Sequence, residues 1–168
     1  KIKQFGVSKK FTTEYFMNFR LFTSMIVFVV LFIFADFGAL IAPVATVLWY
    51  ILVGYFMIDK PLKKRERKLD NEAYYYFEVL TLALESGRNL ENAIKMACKY
   101  IDSEISSEFK ETIKQVNFGK SLTESLSVMS MRIPSLTINN IILNMEQSNL
   151  FGNSIIETMY NQLDFLKD

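Results

Sequence analysis

The residues of this 168-residue chain with the means to do chemistry are few, and most of them are carboxylates. Glu85 lies close to Gly87, and Glu146 and Glu157 to Gly152, two of three corner glycines that also include Gly119. Paired carboxylates at such corners suit general acid/base work or a divalent cation. Glutamates at helix ends more often cap the helix or are simply solvated, so no catalytic pair is assigned. There is no histidine and only one cysteine, Cys98, which removes the usual ligands of zinc and haem and any imidazole acid or base. A single cysteine forms no intrachain disulfide, which fits a domain facing a reducing compartment. The glycines build no phosphate loop, because the Gly-x-x-x-x-Gly-Lys-Ser/Thr pattern is absent. Tyr74, Tyr75 and Tyr76 make an aromatic run better suited to an interfacial or packing belt than to a binding site. The expectation is a non-enzymatic protein with no catalytic residues, metal or cofactor.

The elements that carry these residues fall into two parts. Residues 1–69 hold 11 Lys/Arg against 4 Asp/Glu, net +7, whereas residues 70–168 hold 8 against 14, net −6. Arg88, Lys95, Lys99 and their scattered neighbours make no basic footprint of the kind that phosphates require, so nucleic acid is not an expected partner.

Hydrophobic content is concentrated in the first third. No charge occurs from Leu21 to Ala35 or from Phe37 to Ile58, and only Asp36 separates the two runs. The second run reaches about 33 Å as a helix and is long enough to cross a bilayer. The first reaches about 22 Å, and spans if its helix starts near Tyr15 with Arg20 snorkelling toward the headgroups. A signal peptide is disfavoured by the late start, the length and the missing cleavage site. Lys1, Lys3, Lys9 and Lys10 precede the pair, and Lys60, Lys63, Lys64, Arg65, Arg67 and Lys68 follow it, which predicts both ends on the cytoplasmic side. Asp36, Phe37 and Gly38 then form the outside turn. Lys63, Lys64, Arg65, Arg67 and Lys68 read as a membrane-surface basic cluster that fixes topology and touches anionic lipid.

Beyond the basic run the pattern predicts six amphipathic helices. The first covers about Asn71 to Glu85, with Phe77, Leu80 and Leu84 on one stripe. The second covers Leu90 to Ile101, with Leu90, Ile94, Ala97 and Ile101 inward; the third, Glu104 to Asn117, aligns Ile105, Phe109, Ile113 and Val116. The fourth, Leu122 to Arg132, presents Leu122, Leu126 and Met129. The fifth takes Pro134 into its first turn and runs to about Gln147, with Ile138, Ile141, Ile142 and Met145 inward. The sixth follows Gly152 with Ile155, Met159, Leu163 and Leu166. Segments beginning GRNLENAI, GKSLTESL and GNSIIETM repeat at Gly87, Gly119 and Gly152, each marking a helix corner. Asn89 is a lone cap, while Ser121 with Glu124 and Ser154 with Glu157 have capping-box spacing. The predicted fold is all-α: a cytoplasmic segment 1–14, a two-helix transmembrane hairpin 15–58, a basic juxtamembrane segment 59–69, and a cytoplasmic antiparallel bundle of about six helices over 70–168.

This order resembles the type II secretion F-domain family, the membrane platforms of secretion systems and type IV pili, with the Tad/Flp branch the nearest likeness. The segments that carry the resemblance are LALESGRNLENAIKMA (Leu82 to Ala97), FGKSLTESLSVMSMR (Phe118 to Arg132) and QSNLFGNSIIETM (Gln147 to Met159). Two departures stand out. The proline often found before the first cytoplasmic helix is missing from Asp70 to Ala73, and family members usually continue into further transmembrane segments, so the natural chain is expected to extend past Asp168. The resemblance implies a multi-pass inner-membrane protein with its main domain in the cytoplasm. It also implies a homo- or hetero-oligomer that couples a cytoplasmic secretion ATPase to pilin or pseudopilin subunits, alongside other secretion-machine membrane proteins and the lipid membrane. The competing expectation is a membrane-tethered helical-repeat adaptor that recruits a cytoplasmic partner.

Overall fold

A computed structural model describes residues 13–34, 38–151, 156, 157, 159–161 and 163. All regular structure among the described residues is helical. The chain divides into two compact units at Lys63/Lys64.

The first unit contains α1 (Thr13–Phe34) and α2 (Gly38–Gly54), packed against each other. Three of its hydroxyls bond within the helices: Thr23 and Ser24 donate to the carbonyls of Phe19 and Arg20 at 2.9 and 2.7 Å, and Thr46 to Ala42 at 2.7 Å. Such back-bonding lets a hydroxyl sit in an apolar helix without an orphaned donor. The outward residues are large and apolar, Phe22, Met25, Ile33, Val44, Leu48 and Ile51 among them. A surface of this size and character suits lipid rather than water. Arg20 turns onto α2. Its Nη2 donates to the Tyr50 carbonyl at 2.9 Å, and its guanidinium lies 3.7 Å from the Tyr50 ring centroid. Gly54 makes the room, since a Cβ there would stand 3.1 Å from Arg20 Nη2.

After Gly54 the helix widens into a π turn, Tyr55–Asp59, with the Lys60 N–H bonded to the Tyr55 carbonyl. Pro61 explains the local loosening, because it lacks the N–H that an α-helix would send back to Met57. The helix then continues as α3 (Lys60–Glu85). Ala42–Glu85 is an unbroken helical run of 44 residues, and among the described residues it is the one long and apolar enough to cross a membrane; Met17–Ile33 is a shorter apolar helix.

In the second unit α3 begins well before the predicted Asn71. Lys, Arg and Glu are good helix formers, and the inner stripe of the helix continues upstream through Ala73 and Leu69 to Arg65. The following helices are α4 (Leu90–Tyr100), α5 (Glu104–Asn117), α6 (Leu122–Ser130) and α7 (Leu136–Phe151). Ile156, Glu157, Met159, Tyr160, Asn161 and Leu163 are helical as well. The core gathers Leu69, Tyr76, Phe77, Leu80, Ile94, Ile105, Phe109, Leu126, Met129 and the α7 stripe Ile138, Ile141, Ile142 and Met145. At its centre the Tyr76 and Phe109 rings stack at 4.8 Å between centroids, and Phe77 meets Phe109 edge-on at 6.1 Å.

Further predicted helix ends move, and α7 runs on to Phe151 past the expected Gln147. α6 stops at Ser130 rather than Arg132, where Arg132 and Ile133 close tight turns onto the Met129 and Ser130 carbonyls. Ile133 precedes a proline and is steered away from helical geometry. Pro134 lies outside α7, because Ser135 is the cap: its buried hydroxyl accepts from the Ile138 N–H at 3.2 Å.

Candidate functional site

The basic run after the π turn is where the structure concentrates its buried charge. Lys63, Lys64, Arg67 and Lys68 are exposed, but Arg65 is only 8% exposed and belongs to the interior of the second unit, which corrects its place in the surface cluster. The physical reason is that Arg65 falls on the inner stripe of α3, one turn before Leu69. Its Nε donates to Glu104 Oε1 at 2.6 Å, its Nη2 to Glu108 Oε1 at 2.8 Å and its Nη1 to the Arg132 carbonyl at 2.7 Å. Glu108, 2% exposed, also accepts from Arg132 Nε at 2.8 Å through its other oxygen. Lys68 reaches Glu104 Oε2 at 3.1 Å and Glu72 Oε1 at 3.7 Å.

Glu72 completes the cluster in a different way. Its Oε2 accepts from the backbone N–H groups of Glu104 at 2.8 Å and Ile105 at 3.3 Å, so a side chain of α3 caps the start of α5. A carboxylate there also complements the positive end of the α5 dipole. Ser103 supplies the local cap, accepting from the Ser106 N–H at 3.2 Å. Three cations, Arg65, Lys68 and Arg132, thus face three carboxylates, Glu72, Glu104 and Glu108, and an open depression of about 460 Å³ lies over the cluster beside Asp102 and Ser107.

Titration follows the geometry. Partial burial pushes the Glu104 carboxyl up, but hydrogen bonds and charge from Arg65 and Lys68 outweigh it and hold the group below its ordinary value. The same contact raises Lys68, chiefly through its hydrogen bond to Glu104. With each carboxylate paired to a cation, the cluster has neither a free base nor a vacant ligand set. No group of three or more His, Cys, Asp or Glu suited to a metal occurs among the described residues. Its chemistry is mechanical: it fastens α3 to α5 and to the α6–α7 turn.

The corners behave as short-range devices. Gly87 and Gly119 adopt φ of +83° and +97°, and nothing stands within 4 Å of a Cβ at either, so backbone conformation rather than space calls for glycine. The Asn89 side chain accepts from the Asn92 N–H at 2.9 Å and Ser121 Oγ from the Glu124 N–H at 3.1 Å. Glu157 is helical and exposed, while Gly152 and Ser154 lie outside the described residues. Asp36 and Phe37 of the expected outside turn also lie outside them, and Gly38 is the first residue of α2. Glu85 accepts from the Tyr160 hydroxyl, and burial raises the Glu146 carboxyl. The tyrosine run fans around α3: Tyr76 is in the core, Tyr74 half-buried and Tyr75 exposed. Burial also raises the Cys98 thiol, which lies 3.3 Å from the Tyr76 hydroxyl.

The described residues thus hold a bundle of short capped helices and one helical run long and apolar enough to cross a membrane. Residues 76–168 match the family described as type II secretion system (T2SS), protein F, and the chain belongs to that family. Its members are inner-membrane-associated platform proteins of secretion and pilus systems. Neither the curated proteins nor the solved structures hold a match to this chain. Glu104, Glu108 and Arg132 fall inside the matched segment, whereas Arg65, Lys68 and Glu72 precede it. No local spacing signals the network, because Arg65 lies 39, 43 and 67 residues from its three partners.

Proposed function

We propose that the protein is an inner-membrane platform of a type IV/Tad-type pilus or type II-like secretion machine. In this reading it couples a cytoplasmic secretion ATPase to pilin or pseudopilin subunits and works as an oligomer. Residues 15–58 form a transmembrane hairpin with both ends cytoplasmic and Asp36 to Gly38 outside. Residues 59–69 leave the membrane, and 70–168 form the cytoplasmic domain. Lys63, Lys64, Arg67 and Lys68 lie near anionic headgroups, each contributing about 1 kcal/mol at the surface.

One observation supports the reading: the matched family segment, residues 76–168, lies in the same chain as a helical run, Ala42–Glu85, long and apolar enough to cross a membrane. The test replaces residues 15–58 with an unrelated transmembrane hairpin and measures pilus assembly or secretion in cells. The platform reading expects loss of assembly with the protein still in the membrane. Retained assembly would sink it and favour a tethered adaptor, for which any anchor serves.

A further inference from the structure

The second unit is acidic overall, yet one of its surfaces is not. Asn92, Lys95 and Lys99 follow a spacing of three and four, which lines them along a single face of α4, and Arg88, two residues before the helix, joins them around one depression. All four are exposed, while Leu90, Ala93, Ile94, Ala97 and Cys98 bury the opposite face. Charges that look scattered in the sequence thus form a stripe. Beside it the half-buried Met96 and the 69% exposed Tyr100 complete an open depression of about 320 Å³.

The charges on this stripe are available. Arg88 and Lys99 make no ion pair among the described residues. Lys95 pairs only with Glu91, one turn away at 2.5 Å, and an exposed pair of this kind is weak enough to exchange partners. Of the unit's other cations, Arg65, Lys68 and Arg132 are held in the network with Glu72, Glu104 and Glu108, while Lys110 and Lys114 make exposed pairs of the same weak kind as Lys95.

The shape of the charge selects the occupant. A planar anionic membrane or a long polyanion would meet the surrounding acidic surface, residues 70–168 being net −6, and be repelled beyond the stripe. A short acidic segment meets only the stripe. Asn92 to Lys99 spans roughly 10 Å along the helix, the length of about three extended residues, and Arg88 lengthens the stripe beyond the helix start. We propose that the α4 stripe docks an acidic segment of a protein partner, about five or six residues with two or three carboxylates and an apolar side chain placed on Met96 and Tyr100. The inference goes beyond the platform reading, which assigns no contact residue.

The test uses the full chain in neutral-lipid nanodiscs and a fluorescein-labelled peptide, Glu-Asp-Phe-Glu-Asp-Leu, with its Gln/Asn counterpart as control. Anisotropy should show saturable, salt-sensitive binding of the acidic peptide and none of its counterpart. The triple variant Arg88→Glu, Lys95→Glu, Lys99→Glu should weaken binding at least tenfold. Lys110→Glu, Lys114→Glu, Lys120→Glu makes the same change in net charge elsewhere and should alter it less than twofold. The Gln versions of the stripe variant guard against a helix defect and should still weaken binding severalfold. Equal losses in both triples, absence of peptide binding, or binding of phosphatidylglycerol vesicles through the stripe in place of the peptide would each overturn the proposal. In cells, a photo-crosslinker at Asn92 should capture a protein segment with at least two acidic residues among six; capture of lipid overturns it. Hairpin replacement leaves the stripe intact, so peptide binding survives if only the platform reading fails.

Discussion

Replacing Arg65 with methionine keeps most of the aliphatic stem and removes the guanidinium, so the change isolates the charge. Three charge-assisted hydrogen bonds disappear, to Glu104, Glu108 and the Arg132 carbonyl. Breaking a buried ion pair from one side costs roughly 3–5 kcal/mol when the remaining charge is left uncompensated. Here compensation is partial, since Glu108 keeps Arg132 and Glu104 keeps Lys68. The lower end, about 3 kcal/mol, is therefore expected. For a domain of about 100 residues that corresponds to a fall in Tm of roughly 12–24 °C. Circular dichroism melting of the full chain in detergent reads it, with Lys64→Met as the surface control expected to stay within about 0.5 kcal/mol of the parent. A double-mutant cycle sharpens the test: Glu108→Gln should cost less in the Arg65→Met background than in the parent, because a neutral amide no longer strands a buried charge. If Arg65→Met melts with the Lys64→Met control, the network does not hold α3 to the domain.

Acid should act through the same cluster. The folded-state value of Glu104 is depressed, so its contribution is present above the unfolded value of about 4.3 and is lost as pH falls through the lower folded value. Lys68 is raised, so its contribution is present below about 10.4 and is lost as pH rises through the higher folded value. The acid limb of Tm measured against pH should accordingly be shallower in Glu104→Gln; an acid limb identical to the parent's would contradict the assignment. Cys98 is buried and its thiol raised, so iodoacetamide at neutral pH should label it slowly and urea should accelerate the reaction in step with unfolding, as followed by mass spectrometry. Gly119→Ala should destabilise by about 1–2 kcal/mol because φ is +97° there, and urea titration would reveal a mistaken corner by showing no change.

The parts of the fold legible in the sequence are those governed by near neighbours. α5 starts and stops where its apolar stripe and flanking polar residues predict, and the Asn89 and Ser121 side chains meet N–H groups three residues on because that distance is local. Ser103 and Ser135 cap by the same rule, and α7 starts two residues after Pro134, whose fit to a first helical turn suggests an earlier start. Arg65 is a different case. A charge on the inner stripe of an amphipathic helix looks like the end of the stripe, and its partners on α5 and beyond α6 are identified only once those elements are packed. Glu72 gives no signal at all, being 32 residues from the amide it caps. The α4 stripe lies between these extremes: its spacing was present in the sequence, but counting charges along the chain hides what counting them around a helix reveals.

The Glu72 cap ties the timing of two helices together. The first two amides of α5 find their acceptor on α3, so that turn is complete only after α3 has docked. Because α3 leaves the ribosome before α5, the acceptor is waiting when the amides arrive, and the domain closes in the order in which it is made. The same arrangement turns the amides of Glu104 and Ile105 into built-in gauges. Hydrogen exchange at these two positions reads the seating of α3, and a pull on the helix that lifted Glu72 away by little more than 1 Å would release both protons to solvent while the core amides stayed protected.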